Sequence, residues 1–353
     1  MSYLLTQARV LIIGGTGSLG KKLIKKFLSL GSSVIVYSRD EAKHWTIRNE
    51  ERNVNLSFFV GDIRDKNRLI EVITRSRPTH IIVAAALKQV DTCELSPGES
   101  VLTNLLGTQN VIDAISATSH LVSIERVLFV STDKACSPIN VYGMCKAVSE
   151  RLITSQANFN QQTSFIGVRY GNVLESRGSI IPLFKYQAEN QAEITVTDPE
   201  MTRFVMTLDE SVALILRSFQ YNRSGQIRIP QLSAMRIGDL AEIFSERYNK
   251  PIKIVGLRPG EKLHEDLLNS SELTRCVKQQ NTASLGGDVF ESYEDYVLEP
   301  AYKQPTETST INAYSSCSAV LSKEELNAYL IKLGIFDKAL SDFSGRSIEE
   351  IVK

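Results

Sequence analysis

Short apolar, β-branched runs punctuate the first half of the chain and predict strands at Val10–Ile13, Val34–Tyr37, Leu56–Val60, His80–Ala84, Arg126–Val130 and Ser164–Arg169. Between them apolar residues recur at helical spacing, most clearly over Lys21–Leu30 and Leu102–Ala117. Strands and helices in alternation imply a doubly wound α/β fold, a parallel sheet with right-handed crossovers and helices on both faces. After Gly171 the alternation loosens, and Pro182, Pro199, Pro230 and Pro251 punctuate helical patterns at Leu208–Phe219 and Ile237–Tyr248. That half reads as a smaller lobe, partly interleaved with the sheet. Gly286–Asn312, rich in Glu, Tyr, Pro and Thr, reads as an arm, and helical spacing returns at Lys323–Gly334. The expected organisation is a main domain over residues 1–171, its sheet completed by parts of 205–231, a ligand-binding lobe over 172–285, and a C-terminal arm and helix over 286–353.

The length of 353 residues and the 42% hydrophobic content suit one large core with an appended lobe. Forty basic residues balance forty acidic ones, so the overall charge points neither to nucleic acid nor to an anionic membrane surface. Any anionic ligand must then be held by local cations. No run approaches the roughly 20 apolar residues that span a bilayer, and the chain reads as cytoplasmic. Five scattered cysteines show neither zinc-site nor disulfide spacing and read as reduced thiols, with Cys136 and Cys145 as packing groups.

Directly after the first strand stands Gly14-Gly15-Thr16-Gly17-Ser18-Leu19-Gly20, opening a helix. Glycines allow a tight turn, close backbone approach and helix–strand packing, and the helix N-terminus then receives a pyrophosphate. This is the Rossmann arrangement of a dinucleotide site. The second strand ends in Ser38-Arg39-Asp40, where Arg39 could clamp a 2′-phosphate. NADP is therefore preferred; the alternative is NAD, with Asp40 on the ribose. Asp62, after the third strand, could accept from the adenine amino group.

The fifth strand runs into Ser131-Thr132-Asp133-Lys134, followed by Tyr142 and Lys146 four residues apart on one helix face. A lysine charge beside a phenol favours phenolate and makes the pair a usable base for a sugar hydroxyl. Asp133 and Lys134 add an acid and a base. Once a sugar C4 is a ketone, its C5 hydrogen is acidic; neutral Lys134 could abstract it while protonated Asp133 donates to a departing 6-hydroxyl. Both groups would need shifted pKa values.

These residues, with Asn104, resemble the extended short-chain dehydrogenase/reductase family along nearly the whole chain. Further segments look like the UDP-N-acetylglucosamine 4,6-dehydratases: Ala84–Lys88, Arg169–Val173, Ser176–Ser179, Met201–Phe204, and Arg258-Pro-Gly-Glu-Lys-Leu-His-Glu265. Lys134 stands where retaining dehydratases have Glu, so the resemblance implies inversion at C5. The implied product is UDP-2-acetamido-2,6-dideoxy-β-L-arabino-hexos-4-ulose, the first step towards an L-rhamnosamine- or L-fucosamine-type surface sugar. The same resemblance adds Ile63, Ala84, Ala85, Ala86, Asn104 and Tyr170 to the cofactor-binding set. It assigns Lys88, Asn172, Arg177, Arg203, Arg258 and Glu261 to a UDP-sugar substrate, and it implies a homo-oligomer, often a hexamer. Tyr314–Leu326 is similar to the tail of capsule-type members, departing at Cys317 and Ser318. Alternatives are a UDP-sugar 4-epimerase or 4-ketoreductase of the same fold, or a non-catalytic NADP-sensing regulator.

Overall fold

The computed structural model describes residues 5–284, 290–303 and 313–343. In its first strand, β1 (Arg9–Ile13), Val10 and Ile12 enter one apolar cluster while Leu11 and Ile13 enter another. A strand buried on both faces needs helices on both sides. One face is covered by α1 (Ser18–Ser29), through Leu23, Ile24 and Phe27, together with the helix Leu208–Tyr221. The other is covered by the helices Lys66–Ser76 and Gly107–Thr118, through Leu69, Val72, Val111 and Ile115. Each such side chain taken out of water contributes about 1.5–3 kcal/mol.

Strands β2 (Ser33–Ser38), β3 (Leu56–Val60), β4 (His80–Val83), β5 (Arg126–Val130) and β6 (Ser164–Val168) pair in parallel with β1 in the order 3-2-1-4-5-6. The strand order reverses between β1 and β4, and the crevice beyond the strand ends there is where such sheets bind ligands. All six expected strands are present. β4 and β6 stop at Val83 and Val168, one residue earlier than the pattern suggests, which leaves Ala84 and Arg169 to line or brace the crevice.

The sheet continues beyond β6. Ile227–Pro230 adds in parallel, then Phe290–Leu298 and Cys276–Ser284 add antiparallel, for nine strands. Phe290–Leu298 corrects the reading of 286–312 as an arm; residues 285–289 and 304–312 lie outside the described set. Its polar sequence conceals a strand because buried Asp295 is neutralised by Arg217 at 3.1 Å and Arg228 at 2.9 Å, both from elements far away in sequence. The smaller lobe has its own core, in which Phe184, Ile194, Met201 and Phe244 meet Leu326 and Leu330 of the tail helix Lys323–Lys332. The tail helix thus packs on the chain's own lobe. Among the described residues, no helix is long and apolar enough to cross a membrane.

Candidate active site

A cleft of about 820 Å³ lies along the strand ends between sheet and lobe. At its floor the backbone of Gly14 adopts φ +89°, and a Cβ there would stand 2.6 Å from the Ala85 nitrogen. Only glycine fits that approach. The N-cap of α1, Gly17, offers no side chain to the free N–H groups, and the first turn holds no acid. An uncapped helix start of this kind, reached through a cradle that a Cβ would fill, fits a dinucleotide pyrophosphate. Thr16, Ser18, Leu19 and Gly20 line the same wall, as do Ala84, Ala85 and Ala86 opposite.

Further along, Ser38, Arg39, Lys43, Asp62 and Ile63 line the adenosine end. Asp40, the alternative ribose acid, lines the same end; its Oδ1 accepts from the Lys43 amide at 3.0 Å as N-cap of α2 (Glu41–Glu51), and it ion-pairs with Lys43. Arg39 keeps much of its side chain exposed and lies 3.6 Å from Asp62. The Asp62 carboxylate accepts from the Arg64 amide and guanidinium at 2.8–3.0 Å. Burial would raise this carboxyl, but the bonds and charge of Arg64 hold it below the usual range. Asn104 is the one expected site residue that does not line the cleft. It lies in a π-helical turn, Val101–Leu106, where its amide accepts from Leu87 N–H at 2.8 Å and donates to Leu87 C=O at 2.9 Å. It braces the Ala84–Lys88 loop from behind.

At the end of β5, Thr132 Oγ1 donates to Asp133 Oδ1 at 2.9 Å, and Lys134 Nζ donates to the same oxygen at 3.1 Å. Asp133 is fully buried, and its Oδ2 has no hydrogen-bond partner among the described residues. Lys134 also lies 3.3 Å from Glu265, a buried carboxylate that the sequence reading quoted but did not single out. Burial alone would lower the Lys134 ammonium; the charges of Asp133 and Glu265 outweigh it and raise the group above an ordinary lysine. Lys134 is thus held towards its ammonium form, where the sequence led us to expect a neutral amine. One signal could have found Glu265: it ends the same Arg258–Glu265 segment that carries the expected substrate residues.

The helix Val141–Ser155 begins beside this trio, with Asn140 Oδ1 accepting from the Gly143 amide at 2.7 Å. A Cβ on Gly143 would collide with the Lys134 carbonyl, so the glycine of the Tyr-Gly-x-x-Lys spacing is what brings helix and trio together. Tyr142 is pushed up to about 12 by burial, opposed first by the Lys134 charge and, more weakly, by a hydrogen bond with Thr132. Lys146 donates to the Val130 carbonyl at 2.7 Å, stands 4.1 Å over the Phe129 ring, and is pulled down to about 7 by burial. In this geometry the charge of Lys134 is the main influence that lowers the Tyr142 phenol. Tyr170 completes this wall and is raised by burial. Cys136 and Cys145 are buried beside Glu272 and Ser100.

At the opposite end the cleft is lined by Lys88, Asn172, Arg177, Arg203, Arg258 and Glu261. Lys88 is lowered to about 8 by burial and by the charges of Arg177 and Lys134. Arg203 donates to the carbonyls of Thr202, Lys262 and Leu263 at 2.8–3.1 Å, holding the 258–265 segment against the lobe. Asn172 Oδ1 is buried without a partner among the described residues. A cationic rim of this kind suits a diphosphate.

A glycine loop between β1 and α1, with Thr132, Tyr142 and Lys146 at the end of β5, defines an extended short-chain dehydrogenase/reductase. Within that class the chain belongs to the polysaccharide biosynthesis protein family, whose model matches residues 10–285. It is 40% identical, over 86% of its length and 87% of the relative's, to a UDP-N-acetylglucosamine 4,6-dehydratase (inverting) of Campylobacter jejuni subsp. jejuni serotype O:23/36. It is 39% identical, over 94% of its length and 98% of the relative's, to a UDP-glucose 4-epimerase of Rickettsia rickettsii. Among solved structures, Pen from Bacillus thuringiensis superimposes with a TM-score of 0.82 at 34% identity, over 93% of this chain and 98% of that one.

Proposed function

We propose that the protein is an NADP-dependent UDP-N-acetylglucosamine 4,6-dehydratase that inverts C5. The observation that carries this reading is the Asp133–Lys134 pair at the strand end, 3.1 Å apart and beside Tyr142, with Asp133 fully buried. A bound nicotinamide cofactor supplies a hydride acceptor for C4 and later a donor for C6. Tyr142, with Thr132 on its phenol, takes the proton of the 4-hydroxyl. Lys134 takes the C5 proton and Asp133 protonates the departing 6-hydroxyl. One proton moved along the Lys134–Asp133 hydrogen bond converts a charged pair into the neutral pair that elimination needs. Substrate that displaces water from the cleft disfavours separated charges and favours the neutral form. Lys88, Asn172, Arg177, Arg203, Arg258 and Glu261 hold the UDP-sugar.

A UDP-sugar 4-epimerase is the second reading, because rickettsial relatives carry that name. An epimerase returns hydride to the carbon it left and has no use for an acid–base pair at C5 and C6. Buried charges that serve no reaction are a liability. Incubation with UDP-N-acetylglucosamine and mass spectrometry separates the two: dehydration lowers the mass by about 18 units, one water, and epimerisation leaves it unchanged.

For the cofactor, Arg39 at the adenosine end and the hold of Lys43 on the Asp40 carboxylate support NADP. Arg39→Ala removes a charge-assisted contact of ~1.5–3 kcal/mol, which raises the Kd for NADP by ~10–100-fold and leaves NAD unchanged in calorimetric titration. Equal weakening of both would return the choice to NAD.

A further inference from the structure

Glu265 lines the cleft beside Lys134 and is buried. Its backbone is pinned from the tail: its N–H donates to Ser316 Oγ at 2.9 Å, and its C=O accepts from Ser316 N–H at 2.8 Å. Ser316 is itself fully buried and shares a 2.6 Å hydrogen bond with Thr202 Oγ1. This anchoring sets the Glu265 carboxylate 3.3 Å from Lys134 Nζ, on a different oxygen from the one nearest Lys262. Lys262 approaches only to 3.7 Å, and that oxygen, Oε2, has no hydrogen-bond partner among the described residues. A carboxylate is rarely kept this buried and half satisfied without a function.

Lys134 therefore sits between two anions, Asp133 and Glu265, although one would neutralise it. The other charged groups that reach its ammonium, Arg203 and Lys88, disfavour its charge, and Tyr142 lies beside it. Lys146 shows what burial does to a lysine on the same wall that meets a carbonyl and a ring: it falls to about 7. A pair that lost its proton in this way would be useless for elimination. That step needs one proton on Asp133 to leave with the 6-hydroxyl and a free lone pair on Lys134 to receive the C5 proton.

We infer that Glu265 is a positioning residue of this reaction: a fixed anion, held by the tail through Ser316, that orients the Lys134 ammonium towards Asp133 and keeps one proton on the Asp133–Lys134 pair. This rests on the dehydratase reading. During elimination the C5–H bond breaks and its proton passes to Lys134 Nζ, the C5–C6 double bond forms, and the C6–O bond breaks as Asp133 protonates the departing oxygen. The pair is left as ammonium and carboxylate; after hydride returns to C6, Lys134 gives a proton back to C5, and the 4-hydroxyl proton taken by Tyr142 passes through solvent to Asp133, which resets the pair. Glu265 exchanges no proton in the cycle.

The test uses Glu265→Gln in the full-length protein. Removing an anion favours loss of a proton from its neighbours, so the alkaline limb of the kcat–pH profile moves about one unit or more to lower pH, while KM for the sugar nucleotide stays within about twofold of wild type. Glu265→Asp withdraws the charge by one methylene and moves the limb the same way by less, so either variant suffices if the other fails to fold. The second measurement needs no turnover: acetic anhydride labelling of Lys134, followed by peptide mass spectrometry across pH on the unliganded protein, shows the same displacement. An alkaline limb and a labelling profile that stay at their wild-type positions in the folded variants overturn the assignment. If wild type releases no water yet the labelling profile moves, the dehydratase reading fails and the hold of Glu265 on Lys134 stands.

Discussion

Lys134→Ala is expected to oxidise its substrate and then stop. Exchange of the C5 hydrogen with solvent deuterium should disappear and water loss should fall by ~10²–10⁴-fold, the range that a positioned acid or base supplies. Among the described residues Lys134 Nζ is the one base within hydrogen-bond reach of Asp133, at 3.1 Å, and its side chain retains some access to the cleft. Without it buried Asp133 and Glu265 lose the cation they share. Some loss of stability follows, so thermal unfolding should be recorded beside the kinetics. Deuterium exchange in product NMR spectra is the deciding measurement. Exchange that persists at the wild-type rate would remove Lys134 as the base and leave the pair as a buried electrostatic brace.

What sequence could and could not convey here follows from the range of each interaction. β1, the glycine loop and α1 are contiguous, and a continuous apolar run leading into Gly14–Gly20 admits one geometry. Tyr142 and Lys146 share a helix face and were legible for the same reason. The strand Phe290–Leu298 was hidden because its partners, Ile227–Pro230 and the arginines that neutralise Asp295, come from elsewhere in the chain. Glu265 was obscured in the same manner, since nothing near it in sequence announces Lys134 as its neighbour. Charge states were less legible still. The sequence supplied Asp133 beside Lys134, but the resting ionisation of Lys134 depends on a carboxylate that only the fold brings near. Asn104 marks the opposite case: the residue was noticed, yet its side chain turns to Leu87 and braces the loop that faces the cofactor cleft.

Tyr142→Phe is expected to block the sequence one step earlier than Lys134→Ala. The ring remains in its buried position and only the phenol oxygen with its Thr132 contact is lost, so the fold should survive. Burial pushes this phenol up to about 12, and the charge on Lys134 is the main influence that opposes it. The group is thus protonated at neutral pH in the free site, and turnover limited by it should rise with pH until its ionisation in the complex is passed. Without the oxygen, nothing at the strand end takes the 4-hydroxyl proton, C4 stays an alcohol, and its C5 hydrogen never becomes acidic. The variant should leave the cofactor oxidised, show no C5 exchange, and lose ~10²–10⁴-fold in turnover. The double variant with Lys134→Ala should then behave like Tyr142→Phe alone, since a later step cannot be missed once an earlier one is blocked. Deuterium at C5 of the substrate in Tyr142→Phe, read by NMR, would contradict this order, because it would require C5 to ionise without a ketone beside it.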